Sequence, residues 1–440
     1  MSATAAPVTA IEARWVLPVE PAGCVLPEHT VLVSEGVIRD ILPTAAARTQ
    51  MPAAERIALA DHLLLPGLVN LHTHAAMTLM RGLADDLPLM EWLTAHIWPA
   101  ERAHASESFV EDGTLIACAE MLRGGVTCFN DMYFYPEAAA RAALQAGMRA
   151  ALGMIVIDFP TAYASDPQDY LAKGLATRDA FRHEPLLTFC MAPHAPYTVA
   201  DRSLAQVLTL SEQLAVPIHL HLHETEGEIA QDQAKHGVRP LARLHALGML
   251  SPNLIAVHAI HLQGSEIELL AAHGCHVAHC PSSNLKLASG FAPVAEYLDA
   301  GINVGLGTDG AASNNRLDLM QEMRLAALLG KAVRGRADAL PAHAAVRMAT
   351  LAGATALGLE RRVGSIVAGK EADLTAVNLA TLPMSPCFDP VSHLVYCAGR
   401  QDVTDVWIAG RRVLQAGHLT TLNEQELLAR ALRWQERLQG

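Results

Sequence analysis

Two histidines two residues apart, His72 and His74, close the apolar run Leu63-Leu64-Leu65-Pro66-Gly67-Leu68-Val69-Asn70-Leu71. Side chains at i and i+2 of a strand share a face, so both imidazoles can reach one cation. Neutral imidazole is the commonest protein ligand for zinc and its neighbours. In a chain with 21 histidines a lone pair of this kind is weak evidence, so other segments must decide. Ile218-His219-Leu220-His221-Leu222-His223-Glu224-Thr225 reads as a strand with His219, His221 and His223 on one face, more than packing alone requires. The plain alternative is a polar strand whose histidines satisfy one another or solvent. Leu306-Gly307-Thr308-Asp309-Gly310 ends another apolar run in a carboxylate, with glycines that let other groups approach the backbone. Alone, such an aspartate is more often a turn or N-cap residue. Three histidines and one aspartate make a mixed nitrogen and oxygen site, catalytic if one metal position stays open to water.

These residues need elements to carry them. Eight short β-branched or apolar runs, at 68–72, 126–131, 150–155, 186–191, 217–223, 254–258, 276–280 and 302–308, alternate with helical stretches such as 108–122, 136–146, 203–214, 265–272 and 317–330. This order predicts a (β/α)8 TIM-like barrel, in which functional residues stand at the C-terminal strand ends. His72 and His74, Asp131, His194, His221 and Glu224, His258, His279 and Asp309 all fall there. His258 and His279 taken singly read as ordinary core histidines; their place at strand ends turns the reading toward function. The first 60 residues differ, with short strands at 14–17, 30–34, 37–42 and 56–59, and the texture returns at 372–378, 403–409 and 411–415. The termini are therefore expected to form one small β-sandwich, residues 1–62 supplying one half and 361–440 the other half plus a terminal helix. The barrel, 63–360, is inserted between them.

Hydrophobic residues at 51% and charged residues at 18% describe a globular protein, and a net charge of -13 argues against a nucleic-acid phosphate groove. Residues 1–10 lack a charged n-region and an apolar h-region, and no uncharged apolar run reaches the roughly 20 residues of a membrane span. A cytoplasmic protein with no membrane partner is expected. Eight scattered cysteines without a CxxC pair suit reduced, buried thiols, so a metal must take nitrogen and oxygen ligands. Enzymes of this size are commonly symmetric oligomers, so a homo-oligomer is a reasonable expectation.

On four ordered motifs, Pro66 to His74, His221-Leu222-His223-Glu224-Thr225, the His258 segment and Leu306 to Asn314, the chain resembles the amidohydrolase superfamily, in the branch of nucleoside, cytosine and guanine deaminases and triazine hydrolases. Met77-Thr78-Leu79-Met80-Arg81-Gly82, Glu91-Trp92-Leu93, Pro193-His194-Ala195-Pro196-Tyr197 and Ser283-Asn284-Leu285-Lys286-Leu287 resemble the 5'-methylthioadenosine/S-adenosylhomocysteine deaminases within it. The resemblance implies His72, His74, His221 and Asp309 as metal ligands, thereby choosing among the three histidines of the 218–225 strand. It implies Glu224 as proton donor beside a purine ring, His258 over the nucleophilic water, and Asp309 as acceptor of that water's proton. Glu101 is implied as a ribose-hydroxyl ligand and His194 as a purine contact; His279 joins the substrate-binding set. Zn2+ is the expected metal, one per subunit, although Fe2+ or Mn2+ can occupy such a site.

The implied reaction is hydrolytic deamination of a purine nucleoside, a small-molecule partner. Members that accept S-adenosylhomocysteine tend to carry arginines after the third strand; here Met154-Ile155-Val156-Ile157 begins that region and no Arg occurs between Arg149 and Arg178. A thioether methyl suits such an apolar wall better than a carboxylate, so 5'-methylthioadenosine is expected to be preferred. The alternatives are a deaminase or hydrolase of guanine, cytosine or a triazine, for which Glu101 would have no ribose to hold, and a catalytically silent metal-binding scaffold, which would be expected to lack a ligand or the acid. The segment 77–102 is long and apolar enough to cover the substrate or to meet a second subunit.

Overall fold

A computed structural model describes residues 7–439. Eight parallel strands, Leu68–Thr73, Val126–Asp131, Arg149–Val156, Leu187–Pro193, Ile218–Leu222, Leu254–His258, His276–His279 and Asn303–Leu306, follow one another in a single sheet in chain order. Helices such as Glu107–Arg123, Pro136–Ala146, Asp201–Leu214 and Leu319–Arg334 lie between or after them. With helices outside and side chains filling the inside, these strands are covered on both faces; every residue of the first, second, third, fifth and sixth is buried. Local chemistry sets the element ends. The Ser106 hydroxyl caps the helix Glu107–Arg123 by accepting from Phe109 N, and Gly147, at φ +69°, ends Pro136–Ala146 in the left-handed conformation.

Backbone pairing runs unbroken from the first strand to the eighth. The remaining seam, between Leu68–Thr73 and Asn303–Leu306, is closed by other bonds. The Asn70 amide donates to Thr308 Oγ1 at 2.8 Å while its oxygen accepts from Thr308 N at 2.9 Å, and Asp309 N donates to the His72 carbonyl at 3.0 Å. Gly307 is required here: a Cβ on it would lie 2.9 Å from His72 N.

Both termini meet in a second eight-stranded sheet centred on Glu55–Pro66, which pairs parallel to Thr9–Val16 and antiparallel to Leu374–Asn378. That central strand runs past the expected 56–59 because the Leu63-Leu64-Leu65 run has a partner on each side, Leu63 facing Val377 and Leu65 facing Thr375. Arg149, buried at the start of the third barrel strand, joins the two sheets through Asp373 at 2.9 Å and Glu371 at 2.6 Å. The terminal helix occupies Glu424–Gln439. Among the described residues no helix is long and apolar enough to cross a membrane.

Candidate active site

At the C-terminal ends of the first and eighth strands, His72 Nε2 and His74 Nε2 each lie 3.2 Å from Asp309 Oδ1. The potential ligand atoms of His72, His74 and Asp309 fall within 4.8 Å of one another, as do those of His72, His221 and His258, so the two groups converge on His72. Each imidazole is held by its other nitrogen: His74 Nδ1 by the Met132 carbonyl at 2.6 Å, His221 Nδ1 by the His194 carbonyl at 2.7 Å, His72 Nδ1 by His219 Nε2 at 2.9 Å. A carbonyl accepts only from N–H, so His74 and His221 keep Nε2 for the site, the arrangement a metal-binding imidazole requires. Asp309 Oδ2 accepts from the hydroxyls of Ser283 and Ser313, both at 2.7 Å, and Oδ1 accepts from Gly310 N at 2.7 Å. Burial holds His72 near 4 and His221 well below the usual imidazole range, so both offer neutral lone pairs. At His74 burial is outweighed by Asp309, which favours the protonated ring; metal uptake there is therefore linked to proton release. The donor set fits a divalent metal of the zinc type.

Glu224 and His258 stand beside this cluster, His258 Nε2 3.8 Å from Glu224 Oε2. Glu224 follows the fifth strand. Its amide and that of His223 donate to the Glu228 carboxylate, at 2.8 and 3.0 Å, while Glu228 N donates to Thr225 Oγ1 and starts the helix Glu226–His236. Burial pushes the Glu224 carboxyl above the ordinary range. Asn284 Oδ1 lies 2.9 Å from His258 Nδ1. His223, His258 and Asp309 all have positive φ, at +54°, +66° and +60°. Such left-handed backbone at non-glycine residues is strained and gathers at functional sites.

The cluster opens into a cavity of about 550 Å³ whose lining includes His194, Glu101, Tyr133, Trp98, Ile155 and Phe159. The segment 77–102 forms part of its wall, through Met77, Leu89, Trp92 and Leu93. Burial pushes Glu101 up to about 7 and His194 down to about 3.

His74, His194, His221, Glu224, His258, Asp309 and Glu101 thus line one space, with His72 fully buried behind it in the donor cluster. His279 does not: it is buried, with Nδ1 unpartnered, against a separate small crevice, so its expected substrate contact is not met by its position. Nor do the three histidines of the fifth strand share a role. The strand ends at Leu222, and the positive φ at His223 turns that ring away, where Nε2 accepts from Leu241 N at 3.1 Å. His219 lies beneath His72. Sequence reasoning missed Ser283, Ser313, Asn284 and Glu228 as supporting groups; hydroxyl and amide residues beside the strand-end motifs were the available signal. It also sought a cation first after the third strand, whereas Arg102 lines the cavity.

A polar donor cluster at the carboxyl end of a (β/α)8 barrel, with a buried acid beside it, defines a metal-dependent hydrolase. Residues 63–413 match the Amidohydrolase family, and the chain belongs to it. It is 48% identical to a 5-methylthioadenosine/S-adenosylhomocysteine deaminase of Saccharophagus degradans over 98% of this chain and 96% of that one. The corresponding enzyme of Teredinibacter turnerae is 47% identical, with 97% of each chain covered. Among solved structures, an adenosine deaminase from Xanthomonas campestris with bound zinc superposes with a TM-score of 0.96 at 50% identity, covering 98% of each chain. Atrazine chlorohydrolase from Arthrobacter aurescens, at 22% identity and a TM-score of 0.89 over 97% of this chain and 99% of that one, shares the fold.

Proposed function

We propose that this protein hydrolyses the C6 amino group of an adenosine-type nucleoside, releasing ammonia and leaving the corresponding inosine, with 5'-methylthioadenosine preferred. The observation that carries the reading is one cavity onto which the donor cluster opens through His74, His221 and Asp309, beside the Glu224–His258 pair and the Glu101 carboxylate. The similarity to methylthioadenosine/S-adenosylhomocysteine deaminases and to a zinc-bound adenosine deaminase supports it.

His72, His74, His221 and Asp309 would hold zinc, which supplies a Lewis acid that makes water nucleophilic near neutral pH. Asp309 accepts the proton of the attacking water. Glu224, whose carboxyl burial raises, donates to purine N1 as electrons move there from the C6 bond under attack. His258, with Nδ1 bonded to the Asn284 oxygen, turns the Nε2 lone pair toward the attacking water and orients it at C6. The proton taken by Asp309 then goes to the departing amine, the C6 hydroxyl gives its proton back to Glu224 as the carbonyl forms, and ammonia leaves. Glu101 holds the ribose and His194 contacts the base. Ile155, Ile157 and Phe159 give the cavity an apolar wall suited to a thioether methyl, while Arg102, the cation nearest to hand for a longer amino-acid tail, is exposed and weakened by solvent. We place the enzyme in the cytoplasm.

The test is the change in ultraviolet absorbance when zinc-loaded protein meets 5'-methylthioadenosine, adenosine, S-adenosylhomocysteine, guanine and cytosine side by side. Methylthioadenosine should turn over fastest. Turnover of a free base alone would leave the metal site intact and overturn the nucleoside reading; equal specificity constants for methylthioadenosine and S-adenosylhomocysteine would overturn the preference.

A further inference from the structure

Tyr133 lies two residues beyond the second barrel strand, Val126–Asp131, and lines the same cavity as Glu101. Only 4% of it is exposed, its ring packs on Phe134 at 5.2 Å between centroids, and its hydroxyl has no hydrogen-bond partner in the protein. Buried hydroxyls are rarely left without a partner. Glu101 and Tyr133 act on each other: burial, with Glu101 and Asp131, pushes the Tyr133 phenol up, and Tyr133 moderates the rise that burial gives Glu101. The two groups are near enough to act on each other but fall short of a formed hydrogen bond, so the phenol hydrogen is available to a molecule that enters.

Their capacities differ. An ionised carboxylate only accepts, whereas a phenol donates as well. A sugar hydroxyl that gives its proton to Glu101 still has lone pairs, and only a donor can use them. We propose that the Tyr133 hydroxyl donates to a ribose hydroxyl of the bound nucleoside, making Tyr133 a determinant of selectivity for ribonucleosides over deoxynucleosides. This rests on the nucleoside reading above. A deoxy analogue leaves the phenol unpaired in a buried place, and sites built to hydrogen-bond a substrate hydroxyl discriminate against its absence.

The experiment compares wild type and Tyr133→Phe on adenosine, 2'-deoxyadenosine and 3'-deoxyadenosine by absorbance, with thermal melts of both proteins. Tyr133→Phe is expected to lower kcat/KM for adenosine by roughly 10-fold, chiefly through KM, the scale of one neutral hydrogen bond. It should leave within about 2-fold the kcat/KM for whichever deoxy analogue lacks the contacted hydroxyl. The variant should melt no lower than wild type, because it removes a polar atom that the free protein does not satisfy. Equal losses on all three nucleosides, or no loss on adenosine, would overturn the proposal. Failure of wild type to deaminate any of the three would instead remove the nucleoside reading, and this proposal with it.

Discussion

Asn284 Oδ1 lies 2.9 Å from His258 Nδ1, so the ring nitrogen turned toward Glu224 is Nε2. The amide thereby selects both the orientation of the imidazole and the atom it offers to the reaction. Asn284→Ala should lower kcat by about 10-fold or more with a smaller change in KM, since partners that orient site residues commonly contribute 10–100-fold. Unchanged steady-state kinetics would show that His258 is held by its packing alone.

Glu224→Gln separates proton donation from metal binding. The amide keeps the shape but has no acidic proton, so turnover should drop roughly 100-fold or more. Metal content, measured by atomic emission on the same preparation, should stay at the wild-type ratio. A variant that keeps full turnover would end the role of Glu224 as acid.

Removal of metal should be reversible. Dialysis against a chelator is expected to abolish turnover and zinc to restore it, with one metal per chain at saturation. The metal should also raise Tm, because a ligand that binds only the folded state adds about 2.7 kcal/mol at 100 times its Kd. Full activity in chelated protein would remove the metal from the mechanism.

Glu101 titrates where it can be tested. Burial raises its carboxyl to about 7, so below that pH the group is mostly protonated in the free enzyme and has lost accepting capacity. A ribose that donates to the carboxylate favours the ionised form, so KM should rise as pH falls through about 7. Glu101→Gln should raise KM at high pH and flatten that limb. A KM that stays level from pH 8 to pH 6, roughly a unit either side of that value, would exclude the contact.

Much of this site was legible in the chain because strand alternation and barrel geometry are local and regular. His72, His74, His194, Glu224, His258 and Asp309 could be placed at strand tips from spacing alone, while the resemblance chose His221. What escaped depends on backbone exceptions and on contacts between distant segments. His223 left the expected face because its φ is positive, which alternation cannot encode. His279 ends its strand as expected and still misses the cavity, since a strand tip fixes height in the barrel but not which space the ring enters. Arg102 and Tyr133 reach the cavity from segments whose path no periodicity predicts.

The link between the two sheets makes a stability prediction. Arg149 and Asp373 are each 1% exposed at their side chains, and Arg149→Met would leave the Asp373 carboxylate buried without its cation. Breaking one side of such a pair typically costs about 3–5 kcal/mol. Chemical denaturation should show a loss of that order; a loss below about 1 kcal/mol would mean that solvent reaches Asp373 readily.

The seam between the first and eighth strands has a consequence for how activity arises in time. His72 and Asp309 are 237 residues apart in sequence, and Asn70 and Thr308 are 238 apart, yet these pairs join the strands at which the ring of the barrel closes. Contacts of such long range form late, because the intervening chain must be ordered before they can stabilise anything. On refolding, helix signal should therefore return before catalysis, and a nascent chain still lacking its eighth strand can be largely folded while chemically inert. Catalysis in this protein begins only when the circle is complete.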